Sequence, residues 1–140
     1  MANLTRSFWL PAGVMLVVVS ATTYPLCGAL FSCGCTMTGA SHCNVHHATG
    51  PHCPWCAGGG GAVGAANFAV MLAATFAGIT LARRVGGPRW WVGVIGGSVA
   101  YLASAILAGW VTARLMGYPI HWGTGDYLPA GPIVSVIGMS

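Results

Sequence analysis

The chain has 140 residues, of which 56% are hydrophobic and only 4% are charged, with a formal net charge of +4. Globular domains that dissolve in water carry about a quarter charged residues, so this composition excludes an ordinary soluble domain and predicts a protein of the lipid bilayer. The arginines form no long basic run interleaved with aromatic residues, so we expect no nucleic-acid partner. The length fits a single membrane domain over residues 1–140.

Three uncharged, apolar segments are long enough to cross a hydrocarbon core of about 30 Å at about 1.5 Å per helical residue. They cover residues 8–31, 62–82 and 90–113. We therefore expect an all-α membrane protein with three transmembrane helices. In the first segment, Pro25 predicts a kink or a helix end near Tyr24. The alternative for this segment is a signal peptide with Arg6 as its basic residue and a cut near positions 20–22.

Small residues recur at helical spacing in the second and third segments. Alanines at positions 65, 69, 73 and 77 repeat every four residues, and Gly93 and Gly97 form a GxxxG pair. Such stripes allow close helix contact in lipid, although alanine is common enough here for its spacing to arise without a contact face. We expect the two segments to form a helical hairpin that turns at the polar residues 83–89.

A Cys/His-rich loop joins the first two segments. All 6 cysteines and four of the 5 histidines lie between Cys27 and Cys56. Residues 32–61 are rich in Gly, Thr, Pro, Asn and His and lack apolar periodicity, so we expect them outside the hydrocarbon. A segment with so few apolar residues cannot build its own core, so metal ligation or disulfides are needed to fix its shape.

Two sets of four residues are the predicted metal ligands. The first joins a pair spaced as on one helical turn to a CxxC knuckle, which together supply three thiolates and one imidazole for a tetrahedral ion. Its members are Cys43, His47, Cys53 and Cys56, and those of the second set are Cys33, Cys35, His42 and His46. The expected cofactor is zinc or copper, since thiolates accept both. Cys27 is expected to be an inert buried thiol.

Two alternatives to a metal site are open. An even number of cysteines in an oxidising compartment also fits a structural subunit stapled by disulfides, although the histidines would have no part in such a staple. The Cys-Pro-Trp-Cys tetrad also fits a membrane thiol-disulfide oxidoreductase with Cys53 and Cys56 as its catalytic pair. That enzyme needs Cys53 as an exposed thiol of low pKa. In layout alone it resembles quinone-linked disulfide-forming enzymes.

Arginine placement predicts the orientation in the membrane. With three spans, Arg6 and the arginines of residues 83–89 share one side, and Arg114 lies on the other. Because arginine is enriched on the cytoplasmic side, we expect the Cys/His loop on the extracytoplasmic side of the inner membrane. The tail of residues 114–140 lacks an apolar run long enough to cross, so we expect it at the interface.

The function predicted from these features is that of an accessory membrane subunit whose external loop binds a metal. Few polar groups lie in the three segments, which argues against a transporter of charged solutes or a proton relay acting alone. The expected partners are the lipid bilayer and other membrane subunits.

Overall fold

The computed structural model describes residues 2–35, 52–56 and 62–118. Three α-helices account for most of these residues: α1 (Ala2–Phe31), α2 (Ala62–Gly86) and α3 (Trp90–Leu115). Each contains a stretch long and apolar enough to cross a membrane: Phe8–Phe31, Val63–Gly86 and Trp90–Leu115. The prediction of an all-helical fold with three membrane-capable helices is therefore confirmed. The single domain over residues 1–140 stays a prediction, and the tail from residue 119 onward lies outside the described residues.

Most of the apolar surface of these helices faces outward. Only 22%, 22% and 28% of the residues are buried in the most apolar part of α1, α2 and α3, respectively. Exposed large side chains include Val17, Val70, Leu81, Ile95, Val99 and Leu107. A helix of a soluble protein turns such residues toward a core, whereas a helix in lipid satisfies its backbone internally and exposes apolar side chains to hydrocarbon. The three helices thus fit a multi-pass membrane protein.

Of the two outcomes predicted for Pro25, a helix end near Tyr24 is wrong, because the helix continues to Phe31, the predicted end of the first span. Proline removes one backbone hydrogen bond, but later contacts hold the last turn in place. The Ser32 N–H donates to the carbonyl of Gly28 at 2.9 Å, and the Tyr118 hydroxyl donates to the carbonyl of Phe31 at 3.0 Å. The helix ends where Ser32 takes a positive φ of 48°.

The chain divides into two compact units, and each unit contains part of all three helices. The first unit consists of Met1–Ala21 and Phe68–Ala105. Within it, a Cβ on Gly93 would lie 3.1 Å from Cβ of Pro11, and a Cβ on Gly97 would lie 3.0 Å from Cγ of Met15. Both glycines are buried. The predicted glycine stripe of α3 is therefore a helix-contact face.

The predicted alanine stripe of α2 is not a contact face in the first unit. Ala69, Ala73 and Ala77 are exposed, whereas Met71, Thr75 and Ile79 are buried. Both rows repeat every four residues, but the side chains of the buried row are larger than alanine. They therefore make more van der Waals contacts when they pack against neighbouring helices. The close approach of α2 to α3 occurs instead at Gly78 and Gly96, where an added Cβ on Gly96 would overlap Cβ of Ala82.

The turn between α2 and α3 is shorter than predicted. Because α2 extends beyond the expected end at residue 82 to Gly86, Arg83 and Arg84 lie in its last turn. There they stabilise the partial negative charge of the helix C-terminus. Gly87 has a φ of 90° and donates its N–H to the carbonyl of Arg83 at 3.1 Å, which closes the helix.

The second unit consists of Thr22–Asn67 and Ile106–Ser140. Its described parts are the end of α1 with the residues that follow, the segment 52–56, the first turns of α2 and the last turns of α3. Five of the described residues in this unit are cysteines, and four of them are buried. It therefore contains the candidate site.

Candidate metal centre

Three segments of the second unit supply the cysteines. Cys27 lies in the last part of α1, Cys33 and Cys35 follow the end of that helix, and Cys53 and Cys56 flank a tight turn. The N–H of Cys56 donates to the carbonyl of Cys53 at 3.0 Å, as in a β-turn whose second residue is proline. This turn keeps the two thiols of the tetrad on one short, rigid segment.

The five sulfurs lie close together. Sγ of Cys27 is 3.2 Å from Sγ of Cys53 and 3.4 Å from Sγ of Cys33, while Sγ of Cys35 is 3.8 Å from Sγ of Cys56. None of the five described cysteines forms a disulfide. Sulfurs that bind one zinc ion at about 2.3 Å stand about 3.8 Å apart, so these separations are close to those of ligands around an ion.

The sulfurs form two groups of three. Cys27, Cys53 and Cys56 make one group, and Cys27, Cys33 and Cys35 make the other. In each group, all the ligand atoms lie within 4.8 Å of one another. The three sulfurs of each group therefore lie close enough together to hold a metal ion.

Apolar and aromatic side chains surround the cysteines. The buried residues Phe31, Ala113 and Tyr118 form one cluster with them, and Leu30 and Trp55 pack against it. The ring of Phe31 meets the ring of Trp55 edge-on, with the centroids 5.4 Å apart, and meets the ring of Tyr118 in the same way at 5.7 Å. These aromatic contacts add to burial in fixing the site and limit the access of water to the four buried cysteines.

Two glycines permit the chain to approach closely here. A Cβ on Gly28 would collide with the carbonyl oxygen of Cys35, and a Cβ on Gly64 would collide with the carbonyl oxygen of Trp55. Any larger residue at these positions would displace the backbone that carries the cysteines. The glycines therefore set the distance from the cysteine segments to α1 and α2.

The thiols also influence each other electrostatically. Hydrogen bonds from the thiols of Cys27 and Cys53 hold the pKa of Cys33 well below its usual range, although burial opposes the shift. A thiolate is the form of cysteine that binds metals. The neighbouring thiols thus favour the thiolate form of Cys33.

The predicted ligands fall partly within the described residues. Cys53 and Cys56 lie in one sulfur group, and Cys33 and Cys35 lie in the other. The remaining predicted ligands, Cys43, His47, His42 and His46, lie outside the described residues. The two predicted sets of four therefore stay predictions.

The sequence did not indicate that Cys27 belongs to the cysteine cluster. Cys27 was expected to be an inert thiol, but it is the only described cysteine that belongs to both groups. Cys27 and Phe31 share one face of α1 because the helix continues past Pro25. The signal that could have found Cys27 is its position six residues before Cys33, close to the boundary of the apolar segment.

The oxidoreductase alternative required an exposed Cys53. The side chain is instead 0% exposed, and its sulfur lies against that of Cys27. A thiol that attacks the disulfide of another protein needs access to it. This burial counts against Cys53 as the attacking thiol of an exchange enzyme.

No protein-family model, curated protein or solved structure matched the chain, so the function is argued from the site itself.

Proposed function

We propose that the protein is a small accessory subunit of the inner membrane that binds zinc or copper through its Cys-rich segment. The observation that carries this proposal is the convergence of five cysteine sulfurs in two groups that share Cys27. Soft thiolate ligands in such number select metals such as zinc and copper(I).

Metal ligation accounts for the arrangement better than a disulfide staple does. Sγ of Cys27 lies almost equally close to the sulfurs of Cys33 and Cys53. A disulfide would satisfy Cys27 with one partner and leave the other thiol buried beside it, whereas a metal ion or pair of ions uses all three sulfurs.

For zinc, each group of three sulfurs lacks one ligand, because zinc in structural sites is almost always four-coordinate. Within the proposal, the histidines and Cys43 of the predicted sets supply these fourth ligands. His47 is the first choice, because the predicted tetrahedral set pairs it with Cys53 and Cys56.

The proposed orientation follows from the arginines. Arg83 and Arg84 lie at the end of α2, and Arg89 lies shortly before α3. If all three helices cross the membrane, these arginines lie on the same side of it as Arg6. The positive-inside rule then assigns this side to the cytoplasm and the cysteines to the extracytoplasmic side. Arg114 alone lies at the opposite end.

The partner proposal rests on the exposed surface of the helices. Ala69, Ala73 and Ala77 form a row of small, exposed side chains along α2. Small residues allow another helix to approach closely in lipid, so this row fits contact with a second membrane subunit.

Metal content and thiol count of the purified full-length protein test the proposed function. We expect zinc or copper to copurify, and we expect the thiols to react with a thiol reagent only after the metal has been removed. Cys53→Ser should lower the metal content, whereas Ala29→Ser, an exposed position of α1, should leave it unchanged. A metal-free protein whose cysteines are all disulfide-bonded would overturn the proposal in favour of a covalent staple.

A further inference from the structure

The two sulfur groups share one atom, Sγ of Cys27, and they also approach each other where Sγ of Cys35 lies 3.8 Å from Sγ of Cys56. Sγ of Cys27 lies within 4.8 Å of every sulfur in both groups, which otherwise have no member in common. Its nearest sulfurs, those of Cys53 and Cys33, belong to different groups and lie at 3.2 Å and 3.4 Å. Cys27 thus stands between two potential ions.

The five cysteine sulfurs of the described residues fit two three-coordinate ions. Each group supplies three ligand atoms. Two separate ions of this kind would need six sulfurs, but five suffice when one thiolate bridges both ions. A thiolate sulfur has lone pairs enough to bind two ions at once. Copper(I) is satisfied by two or three thiolates, whereas zinc usually takes four ligands.

We propose that the site binds two copper(I) ions as a thiolate cluster in which Sγ of Cys27 bridges them. One ion is held by Cys27, Cys53 and Cys56, and the other by Cys27, Cys33 and Cys35. This inference rests on the proposed function and specifies copper(I), rather than zinc, as its metal. Binding releases thiol protons to the solvent and leaves copper in the +1 state, so no oxidant or reductant is consumed.

The surroundings fit such a cluster. Phe31 and Tyr118 are buried with the sulfurs, which limits the access of water and oxygen to copper(I). Trp55 packs against the same cluster, and its indole Nε1 is buried with no hydrogen-bond acceptor among the described residues. Two copper(I) ions with five thiolates carry net negative charge, and an indole N–H can donate to one of these sulfurs.

A copper(I) titration of the full-length protein tests the inference. The protein is purified in detergent, reduced, stripped of metal without oxygen and titrated against a coloured copper(I) chelator. We expect two ions per chain, bound by sulfur alone, with a copper–copper contact in the X-ray absorption spectrum. His47→Ala should leave the copper count at two, because the cluster needs no histidine.

Substitutions within the cluster separate the bridge from the other ligands. Cys27→Ser should reduce the count from two ions to one or none, and Cys56→Ser should reduce it from two to one. Ala29→Ser, on an exposed position of the same helix, should keep two ions. If Cys27→Ser lowers the helix content in circular dichroism, its copper count is set aside. The number of copper ions bound by Cys56→Ser then decides the test, and two ions per chain overturn the inference.

The outcomes also distinguish this inference from the proposed function. A wild-type chain that binds one copper ion, or a Cys27→Ser chain that still binds two, overturns the bridged cluster. Zinc binding that depends on His47, without copper binding, overturns the cluster but leaves the proposed function standing. A reduced protein that binds neither metal overturns both.

Discussion

At the scale of single residues, the site depends on close approaches that only glycine allows. Gly28 lies one residue after Cys27 in α1, and its missing side chain leaves space for the carbonyl oxygen of Cys35. Gly13 lies in the same helix but has no neighbouring atom within 4 Å of an added Cβ. The two glycines therefore form a natural pair for testing how tightly the cysteine segment is packed.

We expect Gly28→Ala to weaken metal binding. The added methyl group would collide with backbone, which cannot rotate away as a side chain can, so we expect a loss of about 1–3 kcal/mol of folding stability. Metal content per chain and thermal unfolding measure the effect. Gly13→Ala should change neither, and an equal effect of the two substitutions would contradict this account of Gly28.

Tyr118 ties the end of α3 to the end of α1. Its hydroxyl donates to the carbonyl of Phe31, while its ring packs edge-on against the ring of Phe31. Tyr118→Phe would keep the ring contact and remove the hydrogen bond, at a cost of about 1 kcal/mol, because a buried carbonyl would lose its donor.

Thermal unfolding of the full-length protein in detergent measures this loss. Tyr24→Phe is the matched control, since Tyr24 is 46% exposed in the same helix as Phe31. Equal melting temperatures for Tyr118→Phe and the wild type would show that the hydrogen bond adds nothing.

At the scale of secondary-structure elements, the helices pack through positions with the smallest side chains. Gly78 and Gly96 bring the backbones of α2 and α3 together, and Gly97 admits Ile79 and Met15. Close packing of this kind replaces the hydrophobic driving force that helices lack among lipid tails. The exposed alanines of α2 take no part in it.

We expect Gly96→Val to disrupt the contact of α2 with α3. Its Cβ would overlap Cβ of Ala82 and crowd the carbonyl oxygen of Gly78, so the helices must separate, at a cost of about 1–3 kcal/mol. Resistance to protease and to thermal unfolding should both fall. Ala103→Val, at an exposed position of α3, should have little effect. Equal losses for the two variants would refute the contact.

At the scale of the whole molecule, the positions of the arginines at the helix ends support the orientation proposed above. The basic residues Arg83 and Arg84 end α2, and the cysteines follow the end of α1. If α1 and α2 both cross the membrane, these two sets of residues lie on opposite sides.

We expect a membrane-impermeant thiol reagent to label the cysteines in intact cells after reduction and removal of metal. In a chain with serine at the six native cysteine positions, Pro88→Cys should be labelled only after the membrane is broken, because Pro88 is exposed in the turn between α2 and α3. The reverse pattern would show that the arginine side faces outward.

The sequence by itself determined the three helices and their limits to within a few residues, because partition into lipid depends on the local run of apolar residues. It also brought the thiols to one short region and placed the arginines at helix ends. Cys33, Cys35, Cys53 and Cys56 were recognisable as candidate ligands because their residue types and spacing are local properties.

Only the tertiary structure decided which residues meet. Tyr118 contacts Phe31 at the end of α1, and the helix, which continues beyond Pro25, turns Cys27 toward the other sulfurs. The row of α2 that is buried was likewise decided by the shapes of the neighbouring helices, since two rows of equal spacing competed for it. Such choices depend on contacts between residues far apart in the chain, which a local pattern does not encode.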